Sequence, residues 1–342
     1  MTQESTSQSA RAAPQTFRLL KRLAQPLVVV VALFYLARLA TRHSAELGQV
    51  RLTIAYAPLL AASLLTLAGY LVNVLVWVGS LRWWDQHIGL VAALRIWFLS
   101  NLARFIPGVV WQFAGLAGMS YSAGLSPIAA TGAILLQQVG LLCTGLVVAL
   151  LLAPSFIPAW AAGLSDSTNT GKAARAAASW ARDMPVSLRF LLGAAAIVLV
   201  VLLLPRVVRA AALLWERTSG RAVAMPRLTW RRTSGYLAAL TVPWILYAVA
   251  FWLFGRALLG SEAPGIGIAA AACVTSYVAG IIVVLAPAGL GIRELVLYSA
   301  LAPILGARNA LLLSLLARVW LVAVEVIGAL VVLSLPRSAR PD

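Results

Sequence analysis

Four charged residues stand inside otherwise apolar sequence in the last third of the chain: Arg293, Glu294, Arg318 and Glu325. A charged side chain at the centre of a membrane helix costs about 2.5–3.5 kcal/mol on insertion scales, so four unpaired ones would cost on the order of 10 kcal/mol or more. Pairing, or contact with a wet cavity, relieves that cost. Arg318 and Glu325 are seven positions apart, which is two helical turns and one face. Glu294 is placed to reach Arg318 across a helix interface. Two readings of these groups stay open: a buried salt bridge that orders the bundle, or a polar site for a lipid headgroup. Glu294 also falls early in a helix that starts after Gly291. The positive end of a helix stabilises a carboxylate there, and its free N–H groups can receive a phosphate instead. Arg293 beside it favours the same anion.

The first half of the chain has its own polar set. Arg104 can meet a phosphate within the membrane or snorkel to the cytoplasmic face. Trp111 can stack on a ligand or anchor a helix at the interface. Gln112 follows it, and Gln137 and Gln138 fall in the next apolar run, where glutamines bond a neighbouring helix or meet substrate. Other chemistry has no footing. There is no G-x-x-x-x-G-K-[ST] loop for a nucleotide and no H-E-x-x-H or Cys/His cluster for a metal. Cys143 and Cys273 sit singly in apolar runs. No Ser, His and Asp set shares a membrane depth, so no enzyme and no cofactor is expected.

The elements that hold these residues follow from composition. Of 342 residues, 62% are hydrophobic and 11% charged, against about 45–50% and about 25% in an ordinary soluble domain. The expected class is all-α, a polytopic membrane helical bundle. The net charge of +17 comes from short basic clusters beside apolar runs. That is the pattern of topology determinants and anionic headgroup contacts, and nucleic acid is not an expected partner. Expected spans are 23–40, 54–80, 129–153, 187–204, 236–259 and 310–334. Residues 1–22 form a polar N-terminus, 23–336 one membrane domain, and 337–342 a short tail. The run 23–40 carries Gln25 and Arg38, lacks a small-residue cleavage site and reads as a retained span. Trp83, Trp84, Trp97, Trp160 and Trp180 read as belt residues.

Two further apolar regions, 91–125 and 265–306, are each broken near the middle. Pro107 and Gly108 break the first; Pro287, Gly289 and Gly291 break the second. Such breaks are tolerated in a membrane only inside protein or beside a wet cavity. Arg206, Arg209, Arg217, Arg221, Arg227, Arg231 and Arg232 stand against Glu216 in segment 205–235, whereas segment 154–186 is nearly neutral. The charge rule puts both termini and 205–235 in the cytoplasm and 154–186 outside. Arg42 and Arg51 run against it. With both ends inside, each broken region contributes an even number of crossings, either re-entrant or as two short ones. The two halves, 54–153 and 236–334, then have opposite orientation. Tyr56 to Pro107 and Tyr236 to Pro287 are both 51 residues apart (107 − 56 and 287 − 236). The expectation is an inverted repeat with two broken or re-entrant helical hairpins and a midplane site; a plain bundle with two proline kinks is the alternative.

The stretch Arg104-Phe-Ile-Pro-Gly-Val-Val-Trp-Gln112, followed by Gly124-Leu-Ser126, carries one part of a family resemblance. Pro287-Ala-Gly-Leu-Gly-Ile-Arg-Glu294, with Arg318 later, carries the other. Together they resemble the lysylphosphatidylglycerol synthase transmembrane, or flippase-like, family over roughly residues 20–335. The resemblance implies a membrane domain that moves aminoacylated phosphatidylglycerol to the outer leaflet. In that family the domain is often joined to a cytoplasmic aminoacyl-transferase. Here about eight residues follow the last span, so only the translocating half is expected. The family commonly has an acidic residue around Gln137 or Gln138 and a basic one around Leu116; both are neutral here.

The expected function is that of a lipid flippase in the cell inner membrane, moving a polar-headgroup lipid between leaflets. Arg104, Arg293 and Arg318 would face phosphate, while Glu294 and Glu325 orient the arginines or meet a cationic headgroup. Membrane lipids are the expected partners, with a separate aminoacyl-transferase or glycosyltransferase as a protein partner. The alternatives are a lipid-linked glycan as cargo, or an accessory subunit of a membrane glycosyltransferase that moves nothing.

Overall fold

The computed structural model describes residues 41, 54–103, 110–162, 176, 179, 183–219, 229–282, 289 and 291–336. The expected span 23–40 and the break residues Arg104, Pro107, Gly108 and Pro287 lie outside them. The described residues are helical, with no strand among them. The helices are α1 (Tyr56–Leu81), α2 (Leu90–Leu102), α3 (Val110–Ser122), α4 (Pro127–Ala162), α5 (Val186–Ser219), α6 (Trp230–Leu259), α7 (Ile266–Ile282) and α8 (Ile292–Ser334). One-turn 3₁₀ segments extend α1 through Trp84 and α6 through Glu262.

Four segments are long and apolar enough to cross a membrane: Tyr56–Trp84, Pro127–Leu152, Trp230–Glu262 and Ile292–Ser334. The way side chains are sorted agrees with a lipid surround. On α1, Leu60, Leu64, Leu71 and Leu75 face outward, while Thr66, Tyr70, Asn73 and Ser80 are buried. A soluble helix turns its polar face outward. Here the apolar stripe is outside and the polar groups are in the core.

α8 is not one rod. In a straight helix Glu294 and Arg318 would be about 36 Å apart at 1.5 Å per residue, yet Glu294 Oε1 lies 3.6 Å from Arg318 Nε. The chain therefore reverses between them, and it does so at Gly306, whose φ of 79° and ψ of 159° are non-helical. That backbone region is open essentially to glycine alone. The two arms are 292–305 and 307–334, and the second is the expected last span. The order of elements then repeats. A long helix, two short ones and a long one occur as α1, α2, α3, α4 and again as α6, α7 and the two arms of α8. The short members α2 and α3 have 13 residues each, about 20 Å of helix against a hydrocarbon core of about 30 Å.

Local chemistry sets the ends. Gly124, at φ 83°, closes α3, with Leu125 N–H donating back to Ser120 O at 2.9 Å. Ser126 then caps α4, its Oγ accepting from Ala129 N–H at 3.4 Å, and Pro127 takes the first helical position, where no N–H is needed. Two helices outrun their apolar stretches. α4 continues through Ala162 and α5 through Ser219, into segments expected to be loops. The continuation of α5 is rich in alanine and leucine over residues 210–214, good helix formers that need no lipid around them; that of α4 carries Pro154 and Pro158, and helix propensity does not explain it.

α1 and α6 are the central pair. They run antiparallel, with Ala55 N–H donating to Ala257 O at 2.9 Å, so that the start of one meets the end of the other. Trp77 Nε1 ties α1 to α4 through Ala130 O at 3.3 Å. Trp244 Nε1 ties α6 to α4 through Thr144 Oγ1 at 3.0 Å.

Candidate functional site

The second break delivers its charged residues into the core. Gly291, at φ 80°, opens α8, and Glu294 reaches back to accept its N–H on Oε2 at 2.7 Å. This is half of a capping box. The reciprocal half needs a serine or threonine hydroxyl, which Gly291 lacks. The other carboxylate oxygen of Glu294 faces Arg318 on the returning arm of α8. Glu294 is 6% exposed, so both its oxygens are engaged in a site nearly closed to solvent.

Arg293 points a different way. Its guanidinium carbon lies 3.8 Å from the centre of the Tyr277 ring on α7, a close cation–π contact. Its stem runs between two glycines. A Cβ on Gly280 would come within 2.5 Å of Arg293 Cγ, and one on Gly289 would come within 3.0 Å of its Cδ. Two glycines thus let the end of α7 cross the start of α8 and leave a slot for the arginine. Arg293, Glu294 and Arg318, with Ser276, Cys273 and Ser314, line a cavity of about 30 Å³. That volume admits a water molecule and is far smaller than a lipid headgroup. Two arginines against one carboxylate leave the cavity lining with one net positive charge.

A second set of polar groups bridges the two halves of the bundle. Glu325, 2% exposed, accepts a hydrogen bond from Tyr70 OH at 3.0 Å, which joins α8 to α1. Gln137, 1% exposed, donates to Asn73 O at 2.9 Å and Asn73 Oδ1 at 3.0 Å. Asn73 Nδ2 in turn donates to Tyr247 OH at 2.9 Å. Tyr247 stacks on Tyr277 with ring centres 6.0 Å apart and planes 10° apart. The Gln137–Asn73 pair therefore connects, through Tyr247, to the Tyr277 ring beneath Arg293.

The sequence-derived residues thus divide. Arg293, Glu294 and Arg318 share one cavity. Glu325 is bonded to Tyr70 between α8 and α1, and Gln137 belongs to a polar chain across α4, α1 and α6; the two meet through the edge-to-face rings of Tyr70 and Tyr247, 5.8 Å apart. Gln112 is spent on the first break, where its Nε2 donates to Asn101 Oδ1 at 2.8 Å and joins α3 to α2. Trp111 is 54% exposed on the outer face of α3 and does not line the cavity. Tyr70, Asn73, Tyr247 and Tyr277 were not singled out in the sequence. Asn73 carries the one signal that could have found it, an amide in the middle of an apolar run. Among the described residues no group of His, Cys, Asp or Glu could hold a metal ion.

Set against protein-family models, curated proteins and solved structures, the chain has no match.

Proposed function

We propose that this chain moves a polar-headgroup lipid, such as an aminoacylated phosphatidylglycerol, between leaflets, and that Arg293, Glu294 and Arg318 handle the headgroup phosphate. The observation that carries the reading is one cavity behind a helix break, lined by two arginines and one buried carboxylate, of which Arg318 faces the carboxylate and Arg293 lies on the Tyr277 ring. Buried charge at membrane depth is costly and marks a substrate path by default. The phosphate would displace the Glu294 carboxylate from Arg318 and find Arg293 beside it. The resemblance of residues 104–112 and 287–294 to the lysylphosphatidylglycerol synthase transmembrane family supports the same cargo class.

The two sets of four helices are, in this proposal, an inverted repeat, and their short helices are the re-entrant hairpins. Support comes from α1 and α6, which hold the same place in the two sets and run antiparallel. With a cavity of about 30 Å³, this is the closed form, and a headgroup enters only when the arms of α8 part. The setting proposed is an inner membrane with both termini in the cytoplasm, as the charge distribution along the sequence argues.

The full engagement of Glu294 favours a second reading. A carboxylate that caps its own helix and pairs with an arginine is also what a purely structural ion pair looks like, and an accessory subunit would need no more. Reconstitution separates the two. Purified protein is placed in liposomes with aminoacyl-phosphatidylglycerol, and in others with a lipid-linked sugar, and outer-leaflet exposure is followed with an impermeant reagent. Protein-dependent exchange of either lipid supports transport and names the cargo; no exchange of both supports the accessory reading.

A further inference from the structure

Well away from the charged cavity, α1 and α6 leave an open groove of about 400 Å³ on the outer face of the bundle. Its α1 wall is Val72, Leu75, Val76, Gly79 and Trp83, and its α6 wall includes Tyr236. The α1 residues recur at three- and four-residue spacing, so they form one stripe about 16 Å long. The wall is apolar apart from Ser80, whose hydroxyl is spent on Trp77 O at 2.7 Å within α1, and the ring of Tyr236, whose hydroxyl is closed off from the groove. Tyr236 is 6% exposed, and its ring packs on Trp83 with centres 5.0 Å apart.

The same end of the pair is basic and aromatic. Because α1 and α6 are antiparallel, the exit of α1 stands beside the start of α6. Arg82 precedes Trp83, and Arg231 lies about one and a half turns before Tyr236. Both arginines are exposed. Arg231 sits over the exposed Trp230 ring at 5.3 Å. Tryptophan with arginine marks the headgroup level of a membrane helix, so the stripe from Trp83 to Val72 runs inward from that level.

We infer that this groove is a binding site for one anionic glycerophospholipid. An acyl chain lies along Val72–Gly79, with the rings of Trp83 and Tyr236 beside its headgroup end, and Arg82 and Arg231 face the phosphate. Each part of the groove matches the part of the lipid at its own depth: apolar wall with chain, cations with phosphate. The inference does not rest on the transport reading, because a lipid held here serves a flippase or a static subunit equally.

Gly79 makes the test clean. A Cβ there would meet nothing within 4 Å, so Gly79→Leu fills the groove without disturbing a neighbour. Full-length protein purified in detergent is offered phosphatidylglycerol and phosphatidylcholine, and retained lipid is counted by native mass spectrometry. Two arginines at the headgroup correspond to about a thirtyfold preference for the anionic lipid. Wild type is expected to keep one phosphatidylglycerol with a preference of that order. Arg82→Gln with Arg231→Gln should bring the two lipids close to parity. Gly79→Leu should lose the lipid while unfolding at the wild-type temperature. Equal retention of the two lipids by wild type would overturn the inference. So would unchanged retention in Gly79→Leu, or a protein dimer in place of bound lipid that Gly79→Leu dissolves.

Discussion

Glu294 joins two kinds of interaction in one carboxylate, and their strengths differ. A carboxylate at a helix start is worth about 0.3–1 kcal/mol, up to about 2 when partly buried. Removing one partner of a buried ion pair costs about 3–5 kcal/mol, because the other charge is left uncompensated. Glu294→Gln keeps the shape and an oxygen for the Gly291 N–H, so its cost comes mainly from the lost ion pair with Arg318. We predict a stability loss of about 3–5 kcal/mol in detergent unfolding for Glu294→Gln. Glu294→Gln with Arg318→Gln together should lose less than the two single changes added, a coupling that a double-mutant cycle reads directly. Arg293 gives a second prediction. Gly280→Ala should destabilise by about 1–3 kcal/mol through overpacking, since its Cβ would fall within 2.5 Å of Arg293 Cγ. With Arg293→Ala in the same chain the penalty should largely vanish, and calorimetry of the four proteins checks it. The approach of Glu294 to Arg318 was readable from sequence because an isolated charge in an apolar run must find a partner. The Gln137–Asn73–Tyr247 chain was not. Tyrosine lies comfortably in apolar sequence, and which hydroxyl meets which amide depends on how three helices pack.

At the scale of elements, the reversal at Gly306 decides what α8 can do. The spacing of apolar residues separated the region ending at 306 from the span beginning at 310, yet gave no reason for a turn there. The reason is a backbone conformation that hydropathy does not register. A Cβ at Gly306 would touch nothing within 4 Å, so Gly306→Ala tests conformation without steric conflict. It should cost about 1–3 kcal/mol, measured by chemical unfolding; a neutral result would mean that the chain turns elsewhere. The returning arm is also held at its far end. Arg95 on α2 donates Nε to Val332 O at 3.3 Å, and its Nη2 donates to the carbonyls of Leu333 and Leu335. These are final carbonyls that a helix leaves without internal partners, and a cation suits that negative end. The first half of the chain thereby fastens the last helix of the second. Helix ends were the least readable feature. α4 and α5 run on into Ala162 and Ser219; in α5, over residues 210–214, helix propensity persists after hydropathy has fallen.

At the scale of the molecule, the sorting of residues was legible and the relation of the halves only partly so. Apolar stripes outward and Asn73, Gln137, Glu294 and Glu325 inward follow from a composition of 62% hydrophobic residues. The repeat order long, short, short, long was legible because proline and glycine interrupt two apolar regions at equal spacing. How the two sets of helices face one another is a matter of packing, which spacing does not encode. The charge distribution makes an orientation prediction. A cysteine introduced as Ser167→Cys should label from outside intact cells, and Ser219→Cys should label only after permeabilisation; the reverse pattern would invert the proposed topology. The central claim is that the cavity of Arg293, Glu294 and Arg318 is where a headgroup crosses. Leaflet exchange in proteoliposomes, compared between wild type and Arg318→Ala at matched amounts of folded protein, tests it most directly. The account predicts protein-dependent exchange in wild type and its loss in Arg318→Ala. Exchange that persists unchanged without the Arg318 guanidinium would contradict it.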